Sequence, residues 1–164
     1  RWNFDDENWQ LDLDRIKSHV RNAFRGESFF VMIEFAYLRN VPGPSGCGHV
    51  IAPHIEGLIW REMPRSRKEE ISARFAGGVF GTYPIVRKRI YDLSGAIRYI
   101  IKPPFEGYRI NQRSDGKRWH NPSPLSLQQH YFLYHHLKDF RYPDFAFGSG
   151  IGATVLRRAR SDKI

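Results

Sequence analysis

The run Phe29-Phe30-Val31-Met32-Ile33-Glu34-Phe35-Ala36-Tyr37-Leu38 constrains this chain more than any other stretch. It is rich in aromatic and β-branched side chains and is bounded by Gly26 and by Pro42-Gly43-Pro44, the pattern of a long strand. Glu34 is the one charge inside it, and a charge amid an apolar strand needs a partner or a metal. Residues 40–48 hold two prolines and three glycines, the composition of a loop. Beyond the loop, Ala52-Pro53-His54-Ile55-Glu56-Gly57-Leu58-Ile59-Trp60 alternates as a second strand. The two strands are expected to pair as an antiparallel hairpin.

On the second strand His54 and Glu56 project from one face, about 7 Å apart, while Ile55 and Gly57 point to the other. Two such donors share one metal ion if a neighbouring strand adds a third. Pairing about a centre near residue 44 places Glu34 opposite His54 and makes it the expected third ligand. His49 competes for that role. In the plainer reading, His54 is a satisfied core histidine and Glu56 an edge charge. Pro53 suits the start of a strand, where no ladder N–H is required.

At 164 residues, with 41% hydrophobic and 15% aromatic content, the chain is expected to fold around a single core. No apolar run approaches the ~18 residues of a membrane span, so no membrane partner is expected. No secretory signal is recognisable, and Arg1-Trp2-Asn3-Phe4 reads as the start of a trimmed fragment. Cys47 is the only cysteine, which excludes an internal disulfide and a multi-cysteine zinc site and favours a reducing, intracellular setting. Charge is uneven: residues 1–60 carry 6 Lys/Arg and 8 Asp/Glu, whereas residues 61–164 carry 20 and 9. A half with net charge +11 points to a polyanion, nucleic acid before membrane.

A 3–4 spacing of Leu13, Ile16, Val20 and Phe24 behind Asp5, Asp6 and Glu7 predicts a helix over residues 9–25. Residues 65–76 read as a short basic helix ended by Gly77-Gly78, and residues 85–91 as a strand. Asp92 or Ser94 caps a further helix that Pro103-Pro104 ends. The Gly- and charge-rich residues 106–122 carry no clear element, a helix follows at about 125–138, and Arg157, Arg158 and Arg160 mark a basic tail.

The third helix carries Tyr99 and Lys102 at i and i+3, neighbours on a helix face. A phenol that titrates near pH ~10 attacks poorly unless a nearby ammonium favours the phenolate or a cation strengthens the electrophile. Tyr99 with a metal therefore suits attack on a phosphodiester, leaving a phosphotyrosine and a free 3′-hydroxyl. In the plainer reading, Tyr99 packs its ring at an interface and Lys102 is a helix-end cation.

A Pro-His-hydrophobic-polar-Gly strand containing His54 and Glu56, followed by a Tyr99-x-x-Lys102 helix, resembles the HUH endonuclease superfamily of replication initiators, relaxases and single-strand transposases. The order of an upstream helix, the Glu34 strand and then the histidine strand is similar to that of rolling-circle replication initiators. The resemblance covers roughly residues 9–104. It implies an α+β fold, a central antiparallel sheet of about five strands flanked by helices, in a core over residues 1–104. Residues 105–164 would be a basic extension packed on that core or continuing it. It further implies Mg²⁺ or Mn²⁺ on His54, Glu56 and Glu34, Tyr99 as the nucleophile and Lys102 as its helper. The substrate would be single-stranded DNA, an origin or a hairpin. Read from charge alone, Arg65, Arg67 and Lys68 with Arg87, Lys88 and Arg89 either hold its backbone or form a solvated basic face. A helicase domain or partner would lie outside the fragment. The setting would be cytoplasmic, or the host-cell interior including the nucleus for a viral protein.

The chain departs from the family pattern in three places. Glu56 stands where histidine is usual, although two carboxylates and an imidazole suit Mg²⁺ or Mn²⁺. Only Arg1–Phe4 remains where the first strand should precede the first helix. No second tyrosine lies one turn from Tyr99, which implies the single-tyrosine branch, and Tyr91 is a poor substitute. A zinc deaminase fails for want of a downstream Pro-Cys-x-x-Cys, and neither His-Glu-x-x-His nor a P-loop is present. His130, His135 and His136 read as surface residues of their helix. The chief rival is a non-catalytic, ferredoxin-like module that binds single strands by stacking and phosphate contacts.

Overall fold

The computed structural model describes residues 2–3, 11–43, 46–75, 88–102, 105–112 and 118–161. In chain order its elements begin with β1 (Trp2–Asn3), α1 (Leu13–Ala23), β2 (Phe29–Gly43) and β3 (Gly46–Ile59). Then come α2 (Arg65–Arg74), α3 (Leu93–Ile100), β4 (Phe105–Gln112) and β5 (Arg118–Pro122). The chain closes with α4 (Leu127–Leu137), a 3₁₀ turn (Tyr142–Phe145), β6 (Ala146–Ser149) and α5 (Ile151–Ser161). The fold is α+β, a sheet flanked by helices, as the sequence implied.

β2 is the strand on which the sheet is assembled. The sheet order is β1-β3-β2-β4-β5, with β6 also pairing with β2. Only two residues separate β2 from β3, too few for a parallel crossover, so this pair is the expected antiparallel hairpin. Its strands run further than the Pro/Gly composition suggests, to Gly43 and from Gly46, and residues 44–45 lie outside the described residues. On its other side β2 takes two partners in succession. Phe29–Met32 pairs antiparallel with β6, from Phe29↔Ser149 to Met32↔Ala146. Phe35–Arg39 pairs parallel with β4, from Phe35↔Phe105 to Arg39↔Arg109. The sheet is therefore mixed, because β3, α2 and α3 lie between β2 and β4 and return the chain to the same end. Asn40 follows at φ 57, a left-handed conformation that asparagine tolerates better than most residues, and the β4 ladder stops just before it. β1 pairs with β3 at Trp2↔Ile51 and Asn3↔Val50, so a short first strand does stand ahead of the first helix.

The chain forms two compact units, whose boundary cuts both strands of the hairpin. One comprises Arg1–Leu11, Ile33–His54 and Pro103–Arg141. Its core holds Ile33, Phe35, Leu38, Val50, Ile51 and Ile110, together with Leu133 and Leu137 from α4. Phe35 and Phe105 stack across the parallel pair with centroids 6.4 Å apart. Ser126 caps α4 through a capping box with Gln129, and the Gln129 side chain also bonds the buried Tyr37 phenol. Burial pushes that phenol's pKa up, against the Gln129 bond.

The other unit comprises Asp12–Met32, Ile55–Lys102 and Tyr142–Ile164. Asp12 caps α1, accepting from the Arg15 N–H at 2.7 Å, so this helix begins at Leu13, and residues 9–10 of the expected helix lie outside the described residues. Leu13, Val20 and Ala23 are its buried face. Ala23 joins Met63 and Ile71 in a cluster packed by Phe24, Ile59 and Phe75. α5 packs on β6, and its Gly152 comes so close to β2 that a Cβ there would stand 1.8 Å from the Phe29 carbonyl oxygen. The expected strand over 85–91 is absent where it can be followed: residues 88–91 have no strand, and 85–87 lie outside the described residues. Within residues 106–122 the chain instead forms β4 and β5, paired antiparallel from Tyr108↔Pro122 to Gln112↔Arg118, with Ile110 buried and Arg109 exposed. Among the described residues, no helix is long and apolar enough to cross a membrane.

Candidate metal centre

Past Ile51, β3 has no outer strand neighbour among the described residues, and an edge of this kind accepts Pro53 without loss of a ladder bond. His54 and Glu56 follow on one face of this segment, as the two-residue period requires. The hairpin's far end is closed by the Trp60 N–H, which donates to the Ser28 carbonyl at 3.1 Å. Counting inward one residue per strand from that bond brings Glu34 opposite His54. One ligand atom each from Glu34, His54 and Glu56 lies within 4.8 Å of the other two.

The three residues differ in burial. Glu34 is 2% exposed, Glu56 is half-buried and His54 is exposed. The group thus runs from the sheet interior to solvent. Two carboxylates this close repel each other when both are ionised, and a cation removes that cost. Two carboxylates and one imidazole form a hard, mostly oxygen donor set. His49, the competing third ligand, instead sets its ring against Tyr37 with centroids 5.6 Å apart.

Gly57 matters beside this group. A Cβ there would lie 2.3 Å from both the Phe30 carbonyl oxygen and the Val31 Cγ1, so the close approach of β3 to β2 next to Glu56 requires glycine.

Tyr99 stands in the last turn of α3 and is 53% exposed. Asp92, the N-cap, accepts from the Gly95 N–H at 3.0 Å. The Lys102 ammonium lies 4.0 Å from the centroid of the Tyr99 ring, a cation–π contact on the ring face. The Tyr142 hydroxyl donates to the carbonyls of Ile101 and Lys102, at 3.1 Å to the latter. Tyr142 thus pins the end of the helix that carries Tyr99. Sequence reasoning missed it, since its partners stand 40 and 41 positions away.

The basic residues expected to hold DNA are in varied circumstances. Arg65 is exposed and bonds Glu69 at 2.8 Å. Arg67 is largely an internal residue, 20% exposed, bonding Glu27, Glu70 and the carbonyls of Ala23 and Arg25. Lys68 is half-buried, Lys88 and Arg89 are exposed, and Arg87 lies outside the described residues. Glu27, 4% exposed, is a further charge that the sequence reading passed over. Arg61 grips both its oxygens at 2.7 and 3.0 Å, and this bond, aided by Arg67, holds its carboxyl below the usual range against desolvation.

Comparison with protein-family models, curated proteins and solved structures finds no match to this chain.

Proposed function

We propose that this chain is a metal-dependent, single-strand DNA nickase and strand-joining enzyme of the HUH, replication-initiator type. The observation that carries the reading is the convergence of Glu34, His54 and Glu56 on a strand pair whose sequence resembles that superfamily. A divalent ion on these donors would neutralise charge on a non-bridging oxygen of the scissile phosphate. The remaining chemistry belongs to the chain. Tyr99, exposed at the end of its helix, attacks phosphorus through its phenolic oxygen, and its proton passes to solvent. The bond from phosphorus to the 3′ oxygen breaks, and that oxygen leaves as a 3′-hydroxyl after taking up a proton. The 5′-phosphate stays on Tyr99, and the reverse attack rejoins the strand. Lys102 holds the Tyr99 ring by its face and adds positive charge beside the phosphate. The host-cell interior, whether cytoplasmic or nuclear, is the setting this activity implies.

Incubating a diverse pool of labelled single-stranded DNA with protein and Mn²⁺, followed by a denaturing gel, tests this reading. A covalent protein–DNA band is expected, lost with Tyr99→Phe and with EDTA. Measurable DNA binding without any such band would replace the nickase by the non-catalytic single-strand-binding module. That second reading is favoured by Glu56 standing where the superfamily usually has histidine.

A further inference from the structure

The segment from Lys88 to Lys102 presents an unusual surface. Tyr91 is 88% exposed, and Ile90, Leu93, Ile97, Tyr99 and Ile101 are each more than 40% exposed. Water wets these side chains at a cost, and clustered exposure of this kind marks a place where something docks. The charges around them indicate the chemistry of the occupant. The segment carries Lys88, Arg89, Arg98 and Lys102 against one acid, Asp92, whose carboxylate is engaged as the helix cap. Each of the segment's two tyrosines also has a cation at its ring, Arg89 at 5.7 Å from the Tyr91 centroid and Lys102 at 4.0 Å from that of Tyr99.

We infer that Tyr91 is a stacking platform for a nucleobase of the single strand, with Arg89 contacting the adjoining phosphate. The inference rests on the nickase reading for its ligand class and assigns that ligand a second contact, separate from the nucleophile. Base stacking uses an accessible aromatic ring, and Tyr91 is the most exposed of the large apolar residues described. A cation beside the ring adds phosphate attraction, and a strand of bases needs both. The aliphatic neighbours Ile90 and Leu93 offer apolar area to sugar and base faces without competing for the phosphates. An uncharged, apolar protein face docking there would gain nothing from the paired cations.

The test measures binding of a fluorescent mixed-sequence single strand by anisotropy, in a Tyr99→Phe background so that no covalent product forms. Tyr91→Ala is expected to weaken binding roughly tenfold or more. Tyr91→Phe and Tyr91→Trp should keep it, since the ring and not the hydroxyl does the stacking. The same Tyr91→Ala change should have little effect on an abasic strand of equal length, which has no bases to stack. Equal binding of the mixed-sequence strand by Tyr91→Ala and its parent overturns the platform. So does a Tyr91→Ala change that alters self-association in sedimentation while leaving DNA binding intact, because that marks a protein interface. Tyr91→Ala with Tyr99 restored separates the two proposals. A covalent band that survives there while the anisotropy is unmoved retires the platform and leaves the nickase standing. Loss of tight binding in Tyr91→Ala, with no covalent band from the unsubstituted chain that keeps Tyr99, supports the platform and retires the nickase.

Discussion

Glu34, His54 and Glu56 have different standing in the fold. Replacing the exposed His54 removes a donor without opening a cavity, whereas Glu34 is built into the sheet. Mn²⁺ at about 100 times its dissociation constant should therefore raise the melting temperature of the native chain by about 5–10 °C. His54→Ala should show no Mn²⁺ shift relative to its own metal-free melting point, as thermal scans with and without Mn²⁺ can establish. A shift that persists in His54→Ala would place the ion elsewhere. This triad was legible because a strand's two-residue period puts His54 beside Glu56 and hairpin symmetry supplies Glu34. The Glu27 site was not. Its partners Arg61 and Arg67 lie 34 and 40 positions away, and no local period connects them.

Among the elements, the junction of α1 and α2 depends most on polar bonds. Arg67, in the first turn of α2, donates to the Ala23 and Arg25 carbonyls at 3.1 and 2.9 Å, where α1 ends and its dipole favours a cation. Glu27 in turn anchors Arg61 and Arg67. Glu27→Gln should cost about 1–3 kcal/mol in urea unfolding at pH 7. The native pKa of Glu27 lies below its unfolded value of 4.5, so this stabilisation is complete above that value and fades as pH falls through the native pKa. The native chain and the Gln variant should accordingly converge in stability at strongly acid pH, and a constant gap would exclude the assigned cause. Helices α1 and α3 were recognisable because a 3–4 apolar spacing and a capping residue are local signals, and α2 because a basic run ends at Gly77-Gly78. β6 has four residues, Ala-Phe-Gly-Ser, too few to show any period. β4 and β5 were hidden among glycines and charges, and only pairing with β2 and with each other makes strands of them. The end of the expected strand before Tyr91 shows the converse, a β-prone composition that finds no partner at residues 88–91.

Across the whole molecule, charge is set by sequence position: the first 60 residues are slightly acidic and the remainder carries +11. If the basic part holds a DNA backbone through 6–10 phosphate contacts, affinity should fall roughly 10³- to 10⁵-fold between about 50 and about 200 mM salt. A titration showing no salt dependence would reduce the basic surface to a solubility device. The two-partner edge of β2 bears on a different matter, the order in which the protein is made. Its hairpin with β3 closes among neighbours, but Phe29 meets Ser149 across 120 positions and Phe35 meets Phe105 across 70. At about 5–20 residues per second of synthesis, these partners leave the ribosome several seconds after β2 itself. For that interval the most apolar strand of the chain presents a bare hydrogen-bonding edge, the template on which strands of different molecules pair. A nascent chain of this design depends on a chaperone, or on speed, until its last strand arrives.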